Sequence, residues 1–263
     1  MTGTTVTDPR VGPVEDNLVD FTTVLASMPG IGTDDQPDAL TYFCDVPFPL
    51  YNGVVAARFP ADRAAERTRA VLGPFLERGL PFSWVATPSH TSPGIEAALV
   101  EAGLEVDVAP GMHRRLDGPD PDVALTPGLE IRRVGPGDHD RLLPVLFEVF
   151  GFPDFAQPMM TRAMTELPTD RMSHVLATVD GEPVGGGTLW LHGRVAGLYN
   201  IAVLEPFRGR GIGYAVTATL LDLARERGCT EAVLHSSDLG RSVYERLGFV
   251  EVCQVPQYVW SPE

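Results

Sequence analysis

The sequence predicts a mixed α/β fold in which a mostly antiparallel, twisted sheet is flanked by helices. Beyond residue 128, apolar segments typical of strands are interleaved with segments of helical periodicity. Asp180-Gly181 joins two of the strand segments and is a two-residue hairpin signal, which makes those strands antiparallel neighbours. The resulting order is strand, helices, antiparallel strands, helix, strand, helix, strand, as expected for a mixed sheet covered by helices.

Each element of this second half follows from its residues. Apolar and charged residues alternate along the start of Leu129–Val134, which predicts a strand. Asp138 is a candidate N-cap for a helix that runs to Phe150 and has leucines at the spacing of a buried face. The remaining predicted elements, in chain order, are a helix at Pro158–Leu167, strands at His174–Val179, Pro183–Leu191 and Ala196–Leu204, a long helix ending at Gly228, a strand at Ala232–His235, a helix at Asp238–Leu247 and a closing strand from Phe249.

The first half repeats the end of this order. A helix ends at Gly79 as the later one does at Gly228, and a strand follows each of them. A short helix and a Gly-Leu or Gly-Phe strand start come next, with Gly103 placed 24 residues after Gly79 and Gly248 placed 20 residues after Gly228. This ordered set of matches indicates a duplicated unit.

The two halves are separated by a segment rich in Pro, Gly and acidic residues, which runs from Asp117 through Asp122 to Gly128. This composition predicts a linker. We therefore predict a flexible N-terminus at 1–14, a first domain at 15–117, a linker at 118–128 and a second domain at 129–263.

Composition limits the classes of function. The formal net charge is −15 and every cation is an arginine, so the surface disfavours nucleic acid and favours a cationic partner such as an amine. Three cysteines without a Cys-x-x-Cys pattern fit a reducing compartment and exclude a disulfide framework. No apolar run approaches the length of a membrane span, and the N-terminus lacks the apolar stretch of a signal peptide. We expect a cytoplasmic protein with no membrane partner, and scattered histidines predict no metal site.

The candidate binding loop is Arg208-Gly209-Arg210-Gly211-Ile212-Gly213, between a strand and a helix. Its alternate glycines let successive N–H groups face one ligand, and the helix adds unpaired amides and a positive dipole end. These features predict a diphosphate site, with Arg208 and Arg210 able to add charge-assisted contacts. A nucleoside-triphosphate loop would require a lysine, which the chain lacks, and a dinucleotide fingerprint would place the third glycine one residue later.

The surroundings of the loop resemble the GNAT superfamily of acyl-CoA-dependent N-acyltransferases. The resemblance runs from Leu129 to about Trp260 and includes two further motifs in order, Gly197–Pro206 before the loop and Val243–Phe249 after it. It implies that the strand before the loop separates from its neighbour and that the pantetheine arm of acetyl-CoA lies in the gap. The cofactor residues carried over are Ile201, Ala202 and Val203 for pantetheine, and Arg208, Gly209, Arg210, Gly211, Ile212, Gly213 and Tyr214 for the pyrophosphate.

The resemblance also implies a catalytic residue. Tyr244 stands where the family places a tyrosine beside the cofactor sulfur. A phenol of ordinary pKa is protonated at neutral pH and can donate a proton to the departing thiolate. Ser237 stands where the family commonly has an asparagine that contacts the cofactor, and it can also cap the helix. The general base stays open among Glu148, Asp154, His235 and water chains near Tyr199.

The first half resembles the same superfamily more faintly, from about Asp20 to Leu116. At the loop position it reads Ala57–Asp62, which has no glycine pair, and Pro60 removes an amide donor. We expect two GNAT-like domains in tandem, of which the first is degenerate and binds no CoA. The expected function is acetyl transfer from acetyl-CoA to a small-molecule amine; the alternatives are a non-catalytic acyl-CoA sensor and a protein N-acetyltransferase. The oligomeric state stays open.

Overall fold

The computed structural model describes residues 8–121, 126–135, 137–167 and 170–262, which form two compact units. Unit 1 contains the described residues as far as Leu18 and Pro110–Val252, and unit 2 contains Val19–Ala109 and Cys253–Glu263. Both units are mixed α/β with mostly antiparallel strands flanked by helices, as the sequence predicted. The last strand of the chain contributes to unit 2 from Cys253 onward, although it lies within the predicted second domain, 129–263.

Unit 1 carries the second-half elements near their predicted positions. Helix α1 (Val11–Ala26) begins inside the segment predicted as a flexible N-terminus, because Val11 and Val14 are one helical turn apart and both are buried. The other elements of the unit are β5 (Glu105–Arg115) from Pro110 onward, β6 (Leu129–Arg133), α4 (His139–Phe150), α5 (Gln157–Glu166), β7 (Met172–Val179), β8 (Glu182–His192), β9 (Val195–Val203), α6 (Ile212–Glu226), β10 (Glu231–His235) and α7 (Arg241–Arg246).

The sheet of unit 1 has the strand order β5-β10-β9-β8-β7-β6. Strand β10 runs antiparallel to β5 and parallel to β9, and the remaining neighbours are antiparallel. Asp180 and Gly181 both have positive φ, 51° and 85°, in the predicted β7–β8 hairpin. Asp138 differs from its predicted role, because its carboxylate accepts hydrogen bonds from Arg132 and from the Gly135 N–H and does not cap α4.

The glycine run of β8 allows helices to pack closely on both faces of this sheet. A Cβ at Gly186 would lie 2.3 Å from the Leu142 side chain of α4, and one at Gly187 would lie 2.8 Å from Leu220 of α6. Both leucines are fully buried. Helices α4 and α6 therefore lie on opposite faces of β8, at a distance that larger residues would prevent.

The linker is more ordered than its composition predicted. The Asp120 carboxylate, 11% exposed, accepts two hydrogen bonds from the Arg225 guanidinium at 2.9 and 3.0 Å and contacts Arg114 as an ion pair. Arg225 also donates to the Gly118 carbonyl at 3.0 Å. The described linker residues are therefore held against α6 by charge-assisted hydrogen bonds, although they offer little apolar surface. Residues 122–125 of the predicted linker lie outside the described part of the chain.

Unit 2 has the strand order β1-β2-β3-β4-β11, with β3 parallel to β4 and the other pairs antiparallel. Its core joins buried aromatic residues of α2, β4 and β11, including Phe75 and Phe82 with ring centroids 4.9 Å apart. Its elements, apart from the end of α1 and the start of β5, are β1 (Gly32–Gln36), β2 (Ala39–Phe43), β3 (Gly53–Val55), α2 (Ala64–Arg78), β4 (Phe82–Val85), α3 (Pro93–Glu101) and β11 (Val250–Trp260) from Cys253 onward.

Unit 2 shares the strand–loop–helix–strand order of β9–α6–β10, but its loop is different. Within the described chain, no residue between Ala57 and Arg63 has positive φ, and α2 begins with Arg63 as an uncapped N-cap residue. Pro60 has no N–H, and its carbonyl accepts from the Arg63 N–H. The loop of unit 2 therefore lacks the glycine-lined ring of amides that an anion site needs.

We predict that Asp120→Asn lowers the free energy of unfolding by about 2 kcal/mol at pH 7, because charge-assisted hydrogen bonds to two arginines are lost. Burial alone would raise the pKa of Asp120, but the hydrogen bonds from Arg225 and Arg114 outweigh it and the pKa is lowered. A lowered folded pKa stabilises the fold above the unfolded pKa of about 3.9 and loses this effect as pH falls through the folded value. Urea unfolding at several pH values measures the difference.

The matched control is Asp222→Asn, because Asp222 pairs with the same Arg225 at 2.8 Å but is 70% exposed. This variant should lose less than about 0.5 kcal/mol, as exposed pairs contribute little. Equal losses for the two variants, or a loss for Asp120→Asn that does not shrink as the pH falls below about 3.9, would contradict the buried ion-pair explanation.

Candidate functional site

Strands β9 and β10 separate part of the way along their length. Their parallel pairing joins Glu231 to Val195, Ala232 to Ala196 and Val233 to Gly197, and β9 then continues to Val203 while β10 ends at His235. In the described chain the pairing between these strands stops there. The edge of β9 from residue 198 onward therefore presents backbone groups toward a gap, where a ligand can pair with them.

A bulge in β9 accompanies this separation. The register between β8 and β9 shifts between Gly186 and Thr188, and Asn200 has a positive φ of 52°. The Asn200 side chain donates to the Thr188 hydroxyl at 3.3 Å, which helps to hold this uncommon conformation. The bulge bends the strand just before Ile201, Ala202 and Val203, the residues predicted to contact pantetheine, and these lie along the gap.

The glycine loop follows β9 after a short 3₁₀ turn at Glu205–Phe207. Gly209 and Gly211 have φ of 73° and 80°, and Gly211 is the N-cap residue of α6. The first helical hydrogen bond runs from the Ala215 N–H to the Gly211 carbonyl at 3.0 Å. A helix has no carbonyl of its own for the amides of its first turn, which here belong to Ile212, Gly213 and Tyr214. The loop and the helix thus place several amides and a positive dipole end at one point.

Side chains of the loop fall into two groups. Arg208, Gly209 and Arg210 are exposed, whereas the Ile212 side chain is buried in the core. The Arg208 Nε donates to the Val203 carbonyl at 3.1 Å, so this guanidinium braces the end of β9. The Arg210 guanidinium lies 5.2 Å from the centroid of the Phe207 ring. Both arginines therefore lie beside the amides and leave charged surface available to an anion.

Tyr214 contributes a backbone amide to the first turn of α6, while its side chain points toward the linker. Its hydroxyl donates to the Pro121 carbonyl at 2.6 Å, and the Arg246 guanidinium lies 5.6 Å from its ring centroid. Its side chain lines a cavity of about 800 Å³ between the linker and α6, which also includes Leu129 and Ala218. That cavity is lined by none of the residues of the β9–β10 gap.

Tyr244 lies in α7, beside the start of α6. It is 8% exposed and belongs to the same hydrophobic core as Ile212, and its ring covers Gly240, where a Cβ would be 2.7 Å from it. Burial raises the pKa of Tyr244 to about 12, so the hydroxyl is protonated at neutral pH. Burial is the cause of this shift, and no hydrogen bond to the hydroxyl contributes to it.

Ser237 is exposed at the turn before α7, where its hydroxyl accepts from the Gly240 N–H at 3.3 Å. This contact corresponds to the capping role that the sequence allowed, although the helix itself begins later, at Arg241. The predicted contact of Ser237 with the cofactor stays a prediction.

The candidate bases differ in their exposure and in their hydrogen-bond partners. Glu148 and Asp154 are exposed, and Asp154 accepts from the Gln157 amide at 3.1 Å. The Tyr199 hydroxyl donates to the buried Asn17 side chain at 2.8 Å. Burial lowers the pKa of His235 to about 4, and its Nε2 atom is buried without a hydrogen-bond partner in the described chain.

Sequence reasoning missed Asn17. This residue lies on α1, is fully buried and donates to the Val195 carbonyl at 3.2 Å, so it contacts β9 across more than 170 positions of sequence. The available signal was weak: a polar residue three positions after Val14, on the apolar side of a helix. It could not identify the strand that Asn17 contacts.

The described residues hold neither a metal-binding cluster nor a membrane-spanning helix. No group of three or more His, Cys, Asp or Glu side chains is arranged to hold a metal ion within that part of the chain. Among the same residues, no helix has both the length and the apolar character needed to cross a bilayer.

Comparison with known proteins agrees with this geometry. "Uncharacterized protein YyaT" of Bacillus subtilis (strain 168) is 30% identical over 80 residues, which are 30% of this chain and 54% of that protein. "Probable glucosamine 6-phosphate N-acetyltransferase 2" of Oryza sativa subsp. japonica is 26% identical over 136 residues, 46% of this chain and 82% of that protein. The chain thus spans about half the length of the first relative.

A solved structure extends the likeness to the fold of the whole chain. The GCN5-related N-acetyltransferase from Kribbella flavida matches with a TM-score of 0.68 at 18% identity, covering 95% of this chain and 96% of that one. The model of the acetyltransferase (GNAT) family matches residues 142–249, which include the β9–β10 gap, the glycine loop and Tyr244. Residues 142–249 of this chain are therefore a domain of the acetyltransferase (GNAT) family.

Proposed function

We propose that unit 1 transfers an acetyl group from acetyl-CoA to the nitrogen of a small amine. The observation that carries the proposal is the separation of β9 from β10, which is followed after a short 3₁₀ turn by the glycine loop and the N-terminus of α6. A long ligand with an amide-containing arm and a diphosphate matches this arrangement. The arm would pair with the edge of β9, and the diphosphate would meet the amides of the loop.

The residues of the loop fit such a ligand without rearrangement. A Cβ at Gly209 would meet no atom within 4 Å, so the loop backbone has open space beside it. The amides of Gly209 to Tyr214 would donate to the pyrophosphate oxygens, with Arg208 and Arg210 at the exposed rim. Ile201 and Val203 would offer backbone groups to the pantetheine amides.

The reaction requires the amine nitrogen to attack the thioester carbonyl carbon while the carbonyl oxygen gains negative charge. Backbone N–H groups of β9 near Val203 would stabilise that charge, as donors fixed in place before the reaction. The carbon–sulfur bond then breaks, and one proton passes in net terms from nitrogen to sulfur. Burial in a site closed to bulk water strengthens each of these interactions.

Tyr244 would act at the departing sulfur. A complete proton transfer from a phenol of pKa about 12 to a thiolate is uphill, because thiol pKa values are roughly 8.5. The hydroxyl therefore stabilises the thiolate by donating a hydrogen bond, and the proton released by the amine completes the exchange. This role needs the hydroxyl to be protonated before the reaction, and its pKa of about 12 supports that state at neutral pH.

The acceptor class is the least constrained part of the proposal. The net charge of −15 favours a cationic acceptor, and a relative bears the name of a glucosamine 6-phosphate N-acetyltransferase. We therefore propose a small amine, with amino sugars as the first class to test. Binding of acetyl-CoA with no release of thiol for any amine would favour a non-catalytic acyl-CoA sensor.

Calorimetry with acetyl-CoA and a thiol-release assay with a panel of amines test the function. We expect one acetyl-CoA per chain, because the loop of unit 2 has Pro60 and, from Ala57 to Arg63, neither a glycine nor a residue of positive φ. Acetyl-CoA at 100 times its Kd should stabilise the fold by about 2.7 kcal/mol. A thermal shift with NAD and none with acetyl-CoA, or two acetyl-CoA molecules per chain, would contradict the proposal.

We predict that Gly211→Val lowers acetyl-CoA affinity at least about tenfold, or about 1.4 kcal/mol, because a β-branched residue is strained at this φ and fills space beside the amides. The control is Gly228→Val at the other end of α6, where φ is 78° and the strain is similar. Calorimetry on both folded variants gives the answer, and equal affinities would place the cofactor elsewhere.

We predict that Tyr244→Phe lowers kcat about 10²-fold or more while the acetyl-CoA Kd changes little, because only the hydrogen bond to the thiolate is removed. Tyr214→Phe is the matched control, since its hydroxyl is bonded to the linker and its ring also lies in the core. Steady-state kinetics of thiol release separates them. A loss of less than about threefold for Tyr244→Phe would leave that tyrosine with a packing role alone.

A further inference from the structure

We infer that His235 is the general base of the proposed transfer, accepting at its Nε2 the proton that the acceptor amine loses. This inference rests on the proposed function and assigns the one role that neither the sequence nor the family resemblance filled. It is carried by the position of His235 where the strands separate, by its unpartnered buried nitrogen, and by the contacts that occupy its neighbours.

His235 lies on the face of the sheet opposite α6. Ala232 and Leu234 of β10 pack in the core beside α6, so His235 points to the opposite face by the alternation of a strand. On β9, Leu198 packs in the same core and Tyr199 points the other way. The rings of Tyr199 and His235 lie 6.4 Å apart on this second face, on either side of the gap.

The face matters because it lies away from the glycine loop. A ligand held by the N-terminus of α6 would approach the gap from the side of that helix. The acceptor amine must then approach the thioester carbon from the remaining direction, where the acyl donor leaves space. His235, as the last residue of β10, lies at that end of the gap. Glu231 faces the same side by the alternation of the strand, but it lies at the other end of β10 and contacts the His113 Nε2 atom at 2.7 Å.

The His235 imidazole is neutral and one of its nitrogen atoms is unpartnered in the described chain. Its Nε2 atom is buried and has no hydrogen-bond partner in the described chain, whereas buried polar atoms of folded proteins nearly always have one. An unpaired nitrogen is therefore explained by a ligand atom that completes it. Because burial holds the imidazole neutral at pH 7, one ring nitrogen carries a lone pair that can accept a proton.

The neighbouring polar groups are occupied by other contacts. The Tyr199 hydroxyl is committed to Asn17, whose amide is in turn bonded to the Val195 carbonyl, so this pair is fixed and Tyr199 is not the base. Gly197 makes the contact possible, since a Cβ there would lie 2.0 Å from the Asn17 side chain. Glu15, buried on the same helix, has a partner of its own and is the rival carboxylate.

The proposed transfer moves one proton from nitrogen to sulfur by way of His235. The lone pair of the neutral amine forms the carbon–nitrogen bond, the carbonyl π electrons move to oxygen, and the nitrogen, now positive, gives one proton to Nε2 of neutral His235. The oxyanion then collapses and the carbon–sulfur bond breaks, leaving thiolate held by Tyr244. The imidazolium loses its proton as the thiolate gains one, which regenerates neutral His235 and releases amide and thiol.

The test is His235→Gln, which keeps hydrogen-bonding capacity but cannot take up a proton at neutral pH. With an amine that the wild-type protein acetylates, we expect kcat to fall about 10²- to 10⁴-fold while the acetyl-CoA Kd stays within about threefold. His90→Gln is the matched control, because His90 is a buried histidine of unit 2 bonded to Thr87, and its turnover should be unchanged. Imidazole added to His235→Ala should restore part of the rate, which a structural role would not allow.

The outcomes separate the two proposals. A wild-type protein that neither binds acetyl-CoA nor releases thiol removes the proposed function. A wild-type protein that turns over, with His235→Gln within about threefold of its rate or with Glu15→Gln showing the larger loss, overturns the assignment of His235 alone. If the His235 variants do not fold, ¹⁵N-histidine spectra of the wild-type protein bound to CoA and the amine replace them, and an unmoved His235 Nε2 resonance overturns the assignment.

Discussion

The site of unit 1 depends on the separation of β9 from β10 after the Gly197–Val233 pair. Parallel strands normally continue their hydrogen bonds, and backbone groups left without partners inside a protein cost free energy. The positive φ of Asn200 and the shifted register toward β8 bend β9 away, so the unpaired edge is a feature built into the strand. An extended ligand with amide groups is what such an edge can accept.

The same sheet divides the chemistry between its faces. Because Gly186 and Gly187 allow α4 and α6 to approach closely on opposite sides, the helix that begins at the glycine loop is fixed on one face. His235 and the Asn17–Tyr199 pair lie on the other. A donor held at the loop and an acceptor approaching from the second face would meet at the point where the strands separate, which gives a physical reason for direct transfer between them.

Burial sets the protonation states that this chemistry needs. It keeps the Tyr244 phenol protonated and the His235 imidazole neutral, so one group can donate a hydrogen bond while the other can accept a proton at the same pH. Opposite tasks are assigned to two groups by one cause, since desolvation disfavours the charged form of each. Asp120 shows the contrary case, in which hydrogen bonds from Arg225 and Arg114 outweigh burial and keep a carboxylate charged.

The sequence by itself determined the local features: the order of elements, the Asp180-Gly181 hairpin, the glycine loop opening a helix, and Tyr244 in a later helix, because turns, caps and periodicity are properties of neighbouring residues. Tertiary structure decided what lies far apart in the chain. It placed Asn17 against β9, gave the C-terminal strand to unit 2 and fixed Asp120 against α6. It also left His235 unpartnered at the gap. Burial, pairing and pKa depend on which distant residues come together, and no local pattern contains that information.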